Sequence, residues 1–292
     1  MIAAGCKALF DMERLSVTGF TEVLGRLLEL LKLRRTLIRH WRKSPPCAFI
    51  GIDAPAFNLG LEYSLRNIGI LTIHYVSPQI WAWKPGRIKK IKKAIRLMLT
   101  VFPFEAEIYE RHNIPVEFVG HPLADEIPMQ SDMGVARKTL NINSMANVLA
   151  LLPGSRNNEI VALGADFMQA ARSLKAQLSD LIVVVPLVHA DQQDYMEKLQ
   201  QKYAPDITIK YCIGQSRLAI AAANAVLLAS GTASLETLLI KRPMVVAYRL
   251  NRSTYWLAKR MVQTRFIAMP NLLAGSLIVP ELIQGDLNAD RI

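Results

Sequence analysis

The sequence predicts an α/β fold in which two Rossmann-like domains face a cleft. With 292 residues the chain is long enough for two domains with separate cores. Short apolar, β-branched runs alternate with helical patterns along the chain, as in doubly wound α/β layers. Several of these runs, such as VLALL and AVLLA, are uninterrupted. Uninterrupted apolar runs are typical of parallel strands buried on both faces of a sheet.

Nine segments carry the strand pattern, and helices are predicted between them, for instance over Asn158–Gln177 and Ala233–Ile240. The predicted strands are Ala48–Asp53, Leu71–Val76, Leu97–Phe102, Val116–Val119, Val148–Leu152, Ile182–Leu187, Ile207–Tyr211, Ala225–Ala229 and Met244–Tyr248. The charge-free run Leu218–Leu235 contains Asn224 and a Ser-Gly-Thr turn. It therefore predicts helix, strand, turn and helix instead of a membrane span.

A domain boundary is predicted near residues 125–146, a largely polar segment that precedes a new strand. We expect an N-terminal domain over residues 1–140 and a C-terminal domain over residues 141–292. Ligands of open α/β sheets usually bind beyond the carboxyl ends of the strands, so candidate residues are sought there.

The net charge of +11 comes entirely from the first third of the chain. Residues 1–100 contain 17 Lys and Arg against 6 Asp and Glu, and the remainder contains 18 of each. Such a field indicates nucleic acid, anionic lipid or a phosphorylated substrate as a partner, although a merely soluble basic face has the same composition. The three cysteines have no CxxC spacing, which favours the cytoplasm and argues against a zinc site or a disulfide framework.

Two strand-to-helix turns are candidate anion sites. In LALLPGSRNNEI, residues 149–160, a buried strand ends before Gly154-Ser155, and Arg156 adds a bidentate donor near the helix start. In AVLLASGTASLET, residues 225–237, a second strand runs into Ser230-Gly231-Thr232. Either turn is also compatible with an ordinary loop. Two such turns in one domain, however, favour anion binding more strongly than one turn alone.

Two carboxylates near strand ends are further candidates. Glu236, close to the start of the second helix, is suited to accept hydrogen bonds from two ribose hydroxyls, or it merely offsets the helix dipole. Asp53 lies at the carboxyl end of the strand in CAFIGIDAPAFN, where a partly desolvated carboxylate is suited to general base catalysis. The alternative for Asp53 is a capping role in a loop.

Aromatic and basic residues meet in the segment HYVSPQIWAWKPGRIKKIKKAIRLML, residues 74–99. Trp81 and Trp83 adjoin a predicted helix that carries Lys89 and Lys90, a combination suited to a membrane interface or to single-stranded nucleic acid. An earlier predicted helix, Thr21–His40, has a leucine stripe and five Lys and Arg. It is read as a core helix with arginines reaching solvent, or as membrane-inserting.

The five histidines are scattered, with no HExxH motif and no carboxylate cluster, so no metal is expected. His74 and His121 follow strands. Each is a candidate for a cleft-lining position or a structural role.

Taken together, these segments resemble the lipid A disaccharide synthase family of inverting, two-Rossmann (GT-B type) glycosyltransferases. The stretches that carry the resemblance occur in the family's order and cover nearly the whole chain: GIDAPAFN, HYVSPQIWAWKPGRI, FPFE, FVGHPLAD, LALLPGSRNNEI, LLASGTASLET, PMVVAYR and MPNLLAG.

The resemblance implies a reaction in which UDP-2,3-diacylglucosamine donates its sugar to 2,3-diacylglucosamine 1-phosphate (lipid X). The products are a β-1,6-linked tetraacyl disaccharide 1-phosphate and UDP. It implies a peripheral enzyme on the inner membrane of a Gram-negative bacterium, with an anionic inner leaflet as partner, no nucleic acid, no cofactor and no metal.

The resemblance also implies roles for individual residues. Asp53 matches the family's essential aspartate, a candidate base for the acceptor 6-hydroxyl, and Arg156 matches an arginine that neutralises charge on departing UDP. The positions expected around the nucleotide are Ser155, Gly231, Thr232, Glu236 and Asn271. The basic segment with Trp81, Trp83, Lys89 and Lys90 would face the acceptor and the membrane.

Against the family pattern, this chain begins after a loop of the form GExSGD and stops before further helices. We therefore expect that the first strand–helix unit and the closing helices are missing. Three alternatives are an inactive remnant, another UDP-sugar enzyme of this fold (an epimerase or a peptidoglycan glycosyltransferase), and a non-catalytic protein that binds membranes or nucleic acid through residues 1–100.

Overall fold

The computed structural model describes residues 5, 7–10, 20–83, 85–288 and 291–292, with only the backbone at 20–27, 252–253 and 257–258. The chain divides into two compact units, Met1–Gly120 and His121–Ile292. Each unit is built on its own parallel sheet. The predicted α/β class and its two Rossmann-like sheets are confirmed.

The first unit is a four-stranded parallel sheet in the order β1-β2-β3-β4, with helices between successive strands. Its elements are α1 (Phe20–Lys43), β1 (Ala48–Ile52), α2 (Pro55–Arg66), β2 (Leu71–Tyr75), a 3₁₀ turn (Pro85–Arg87), α3 (Ile88–Ala94), β3 (Leu97–Thr100), α4 (Pro103–Glu110) and β4 (Val116–Phe118). α2 packs against both α1 and α3.

The leucine stripe of α1 supplies core contacts. Leu33 and Leu37 are buried in one cluster with Leu61 and Leu65 of α2. The prediction of a core helix for this segment is therefore confirmed where its side chains are described. Burying these leucines stabilises the unit, because it removes apolar surface from water. No helix in the part of the chain that the structure describes is long and apolar enough to cross a membrane.

The second unit is a six-stranded parallel sheet in the order β10-β9-β8-β5-β6-β7. Its elements are α5 (Pro122–Glu126), α6 (Met133–Thr139), β5 (Val148–Leu152), α7 (Asn157–Gln177), β6 (Ile182–Leu187), α8 (Ala190–Tyr203), β7 (Thr208–Ile213), α9 (Ser216–Ala222), β8 (Ala225–Ala229), α10 (Thr232–Ile240), β9 (Met244–Tyr248), α11 (Arg252–Met261), α12 (Met269–Ala274), β10 (Glu281–Ile283) and a 3₁₀ turn (Gln284–Asp286).

The central strand β5 is buried along its whole length. Leu149 and Leu151 belong to the core beneath α7 and α8, whereas Val148, Ala150 and Leu152 belong to the core on the opposite face. Strands β6 and β7 extend the sheet on one side of β5, and β8, β9 and β10 extend it on the other. The strand order therefore reverses between β5 and β8, which is where doubly wound sheets open a ligand crevice.

The predicted strands are all present, with ends that differ by at most two residues. The run Leu218–Leu235 is the predicted helix, strand, turn and helix, formed by α9, β8 and α10. Strand β10 was missed because Glu281–Ile283 has only three residues, too short for an apolar run to stand out.

A buried carboxyl group, that of Glu105, lies near the start of α4 in the first unit. Glu105 is 2% exposed and accepts hydrogen bonds from the backbone N–H of Phe102 (3.1 Å) and from Trp81 Nε1 (3.2 Å). Burial raises the pKa of Glu105 to about 7, and these hydrogen bonds offset part of that rise. The folded chain therefore binds a proton at Glu105 over a pH range in which the unfolded chain has released it.

This carboxylate makes the first unit less stable as the pH rises. Because the folded-state pKa of Glu105 lies above its usual 4.5, the unfolding free energy should fall between pH 4.5 and 7, by up to about 3 kcal/mol. Urea unfolding followed by tryptophan fluorescence should record this fall. In Glu105→Gln, which cannot ionise, that part of the pH dependence should vanish, and an unchanged pH dependence would contradict the assignment.

Candidate functional site

A pocket of about 490 Å³ lies at the carboxyl edge of the second unit's sheet, where the strand order reverses. Strands β5 and β8 pair in parallel, with Leu152 opposite Leu228, so the turns that follow them are neighbours. The pocket is lined by residues of these turns and of the ends of β6 and β7, namely Leu152, Gly154, Ser155, Arg156, Glu159, Pro186, Leu187, Val188, Gly214, Ser216, Ala229, Ser230, Gly231, Thr232, Ala233 and Glu236.

The first turn, which precedes α7, is capped by a side chain of that helix, Glu159. Glu159 Oε2 accepts hydrogen bonds from the backbone N–H groups of Ser155 (3.0 Å) and Arg156 (3.3 Å). This carboxylate at the third position of α7 therefore occupies donors that were predicted to bind an anion. A glutamate three residues after the N-cap is a capping signal that is visible in the sequence.

The side chain of Arg156 is the accessible cation of this turn. Its Nη1 lies 3.4 Å from Glu159 Oε1, a weak contact, and the side chain is 69% exposed. An exposed pair of this kind stabilises the fold little, so the guanidinium can turn to an incoming anion at small cost.

The second turn leaves its helix start open to the pocket. Among the described residues, no side chain caps the N-terminus of α10 at Gly231. Ser230 and Ser234 instead fix the turn, because Ser230 Oγ donates to the Ile267 carbonyl (2.9 Å) and Ser234 Oγ donates to the Gly231 carbonyl (2.8 Å). The first-turn amides of α10 and the helix dipole therefore make this turn the better anion site of the two.

The carboxylate of Glu236 lines the same pocket and is held from one side. Its Oε1 accepts a hydrogen bond from Arg217 Nε at 3.0 Å, and Arg217 Nη2 donates to Glu126 Oε2 at 2.9 Å. These hydrogen bonds, first to Glu236 and then to Glu126, raise the pKa of Arg217. Because Oε1 is oriented by Arg217, Glu236 is a fixed acceptor for a ligand hydroxyl. Neither Arg217 nor Glu126 carried a motif that could have revealed this link.

Gln192 is a buried residue that sequence reasoning missed. Its Nε2 donates to the Ser155 carbonyl (3.1 Å) and to Asn157 Oδ1 (3.0 Å), and its Oε1 accepts from the backbone N–H groups of Val188 (3.0 Å) and His189 (3.3 Å). One amide therefore ties the turn after β5 to the turn after β6. A glutamine in a polar helix start gave no signal of this role.

The predicted nucleotide residues divide into two groups. Ser155, Gly231, Thr232 and Glu236 line the pocket together with Arg156. Asn271 does not line it: its side chain is fully buried and bonds to Glu281 Oε1 (2.7 Å), to the Val279 carbonyl (2.9 Å) and to two backbone N–H groups. In this structure Asn271 holds the segment between α12 and β10.

Asp53 lies at the carboxyl edge of the first unit's sheet in a left-handed turn. Asp53 and Ala54 have φ of 48° and 41°, a conformation that disfavours non-glycine residues. Asn58 Nδ2 supports the turn by donating to the carbonyls of Ile52 (3.1 Å) and Asp53 (2.8 Å). Asp53 is exposed, so the expectation of a partly desolvated carboxylate is wrong for the chain as described.

The end of the neighbouring strand is strained as well. Val76, a β-branched residue, has φ of 74°, and its backbone N–H is bonded to the Leu99 carbonyl at 3.1 Å. Backbone strain of this kind persists only where the surroundings enforce it, and it clusters at functional sites. Strained backbone at the ends of both β1 and β2 therefore favours this sheet edge as part of a functional site.

The two histidines considered for a cleft have structural roles. His74 is fully buried, with Nδ1 2.7 Å from Glu62 Oε1. His121 caps α5, because its Nδ1 accepts a hydrogen bond from the Leu123 backbone N–H at 3.1 Å. Burial lowers the pKa of His121, which suits this acceptor role.

The aromatic and basic residues of the first unit differ in exposure. Trp81 is partly buried, with its indole N–H on Glu105 and its ring edge against Phe104. Trp83, Lys89 and Lys90 are exposed. Of the two tryptophans, only Trp83 has the exposure that contact with a membrane would use.

Comparison with known proteins identifies relatives over the full chain. The family model for lipid-A-disaccharide synthetase matches residues 1–292. The lipid-A-disaccharide synthase of Aeromonas hydrophila is 48% identical over 292 residues, which cover 100% of this chain and 77% of that protein. The enzyme of Azotobacter vinelandii is 52% identical over 285 residues, covering 97% and 75%.

Solved structures share the fold at low sequence identity. S. aureus MnaA, in a co-structure with UDP, has a TM-score of 0.57 and 12% identity, covering 93% of this chain and 74% of that one. The UDP-GlcNAc 2-epimerase from Neisseria meningitidis bound to UDP-GlcNAc has a TM-score of 0.55 and 13% identity, covering 93% and 76%. These similarities support two Rossmann-like domains of the GT-B type.

Gly154 should be indispensable for the first turn. Its φ is +128°, and an added Cβ would lie 2.4 Å from Glu159 Cβ, which cannot move without the helix backbone. Gly154→Ala should therefore lower the unfolding free energy by about 2–3 kcal/mol. Gly275→Ala is the matched control, because Gly275 has φ of +65° but open space around it. Its cost should be about 1 kcal/mol, and equal losses in urea unfolding would refute the steric argument.

Proposed function

The chain belongs to the lipid-A-disaccharide synthetase family of lipid A biosynthesis glycosyltransferases, and we propose from this premise that it condenses UDP-2,3-diacylglucosamine with lipid X. The products would be the tetraacyl disaccharide 1-phosphate and UDP. The observation that carries the proposal is the pocket between the turns after β5 and β8, which combines an open helix start, an exposed arginine and an oriented carboxylate.

UDP is proposed to bind in this pocket. The open start of α10 at Gly231, Thr232 and Ala233 would take the diphosphate, since free amides and the helix dipole favour anions. Glu236 would accept hydrogen bonds from the ribose hydroxyls. Two proteins that share the fold were solved with UDP or UDP-GlcNAc, which supports a nucleotide role for this fold.

Arg156 is proposed to neutralise the leaving group. As the bond between the anomeric carbon and the UDP oxygen breaks, its electrons move to the diphosphate. An exposed guanidinium beside α10's open helix start would stabilise that charge more in the transition state than in the bound substrate. Glu159, which contacts Arg156 weakly, would keep the side chain near the pocket.

Asp53 is proposed as the general base. Its carboxylate would accept the proton of the acceptor 6-hydroxyl while that oxygen attacks the anomeric carbon opposite the departing UDP, which inverts the configuration there. The strained turn at Asp53 and Ala54 supports this role, because it fixes the direction in which the side chain leaves the sheet edge.

A membrane surface is the proposed place of action, on the cytoplasmic side of the inner membrane. Both substrates carry acyl chains, and the first 100 residues hold all the excess positive charge of the chain. Exposed Trp83, Lys89 and Lys90 are suited to an anionic leaflet.

The proposal is tested by mixing the chain with UDP-2,3-diacylglucosamine and lipid X in detergent and measuring UDP release. Release that requires lipid X is expected. Release without lipid X would indicate a different UDP-sugar enzyme, and an absence of release at high protein concentration would contradict the proposed reaction.

Asp53→Asn should remove the base and leave the nucleotide site intact. Turnover should fall by about 100-fold or more, as is usual when a general base is lost, while the Kd for UDP stays unchanged. Asp206→Asn, at an exposed aspartate in a loop of the second unit, is the control and should retain full turnover. Loss of UDP binding in Asp53→Asn would contradict the base assignment.

Arg156→Ala should weaken both UDP binding and turnover. Removing a charge-assisted hydrogen bond should lower kcat/KM by about 10- to 100-fold. Arg172→Ala, which removes an exposed arginine from the same helix, should change neither quantity. A wild-type rate in Arg156→Ala would exclude this residue from the site.

A further inference from the structure

A second pocket, of about 640 Å³, lies in the first unit and is separate from the nucleotide pocket. It is formed where α2 packs between α1 and α3. Its lining combines basic side chains with an apolar wall from α2, namely Arg34, Pro55, Ala56, Leu59, Gly60, Tyr63, Arg87, Lys90 and Lys93. None of the proposed catalytic or nucleotide-binding residues lines it.

The pocket has an unbalanced positive charge. Four of its lining residues are cations (Arg34, Arg87, Lys90 and Lys93), and none of the described residues that line it is acidic. In the part of the chain that the structure describes, none of the four forms an ion pair. Four unpaired cations around one concave surface repel one another and favour an anion between them.

The position of Arg34 depends on a glycine. A Cβ at Gly60 would lie 2.3 Å from Arg34 Nη1, so the guanidinium rests directly against the backbone of α2. Glycine within a helix costs about 1 kcal/mol relative to alanine. Because Gly60 has no side chain, the guanidinium of Arg34 can enter the pocket. Helix stability alone would favour alanine at this position.

The remaining walls are apolar and firmly held. Leu59 is buried, and Tyr63 exposes its ring beside it on α2. Arg66, one helical turn further on, donates from Nη1 to the carbonyls of Lys92 (2.6 Å) and Ile95 (2.5 Å), which fixes α2 to the end of α3. A ligand that fits this lining carries an anionic group next to an apolar or sugar moiety.

The geometry points to this pocket as the binding site for the phosphate monoester of the phosphorylated glycolipid acceptor. The inference rests on the proposed function, which supplies an acceptor with a 1-phosphate and two acyl chains. Pro55 and Ala56, which line the pocket, begin α2 immediately after the Asp53–Ala54 turn. A phosphate bound here would therefore anchor the acceptor sugar on the same helix start that presents the proposed base.

The test measures equilibrium binding by the full chain in detergent micelles. The probes are lipid X, the same diacylglucosamine without its phosphate, phosphatidylglycerol and inorganic phosphate, with UDP as a separate ligand. The wild-type chain should bind lipid X at least about tenfold more tightly than the dephosphorylated lipid, as expected for charge-assisted hydrogen bonds. Phosphatidylglycerol and inorganic phosphate should bind more weakly than lipid X.

Two variants and one control test whether the preference for the phosphorylated lipid arises in this pocket. Arg34→Ala removes the cation and Gly60→Ala displaces it, so both should reduce the preference for phosphate to about threefold or less. Gly60→Ala should not lower thermal stability, because alanine favours the helix. Arg35→Ala removes an exposed neighbouring charge from the same helix and should keep the wild-type preference.

Three results would overturn the inference: equal binding of lipid X and its dephosphorylated form, an unchanged preference in Arg34→Ala, or equally tight binding of phosphatidylglycerol or inorganic phosphate. Failure of the proposed function is seen separately, as an absence of lipid X-dependent UDP release by the wild-type chain.

Discussion

The parallel pairing of β5 with β8 is the constraint on which the rest of the proposed nucleotide pocket depends. These strands are far apart in sequence, yet their register sets Leu152 beside Leu228 and so brings the turn at Gly154–Arg156 next to the turn at Ser230–Thr232. The opposite end of the pair is locked by Asn224, whose Oδ1 accepts hydrogen bonds from the Val148 backbone N–H (2.8 Å) and from Arg137 Nη2 (2.7 Å). A slip of one residue would turn each apolar side chain to the wrong face and separate the two turns.

The two helix starts at this edge are not equivalent, and the difference defines their roles. Glu159 satisfies the amides at the start of α7, which leaves the side chain of Arg156 as the main contribution of that turn. The start of α10 has no side-chain cap from the part of the chain that the structure describes, so its dipole and amides face the pocket. The pocket therefore combines an open helix start, an exposed cation and a carboxylate held by Arg217.

Much of the fold and part of the site could be predicted from the sequence, for a physical reason. Buried parallel strands are uninterrupted apolar runs, and the turns that follow them use Gly, Ser and Thr, so Gly154 and Gly231 are visible locally. The partners that orient the site are not local: Arg217 reaches Glu126 over 91 positions, and Gln192 reaches Ser155 over 37. For the same reason, the sequence did not predict the basic pocket at Arg34, which forms where three helices meet. It also did not predict that Asn271 is buried.

The most direct test of the account is a crystal structure of the chain with UDP. We expect the diphosphate to contact the backbone amides of Gly231, Thr232 and Ala233, the ribose hydroxyls to donate to Glu236, and Arg156 to turn toward the phosphates. UDP bound away from the turns after β5 and β8, or a diphosphate with no contact to the start of α10, would contradict it.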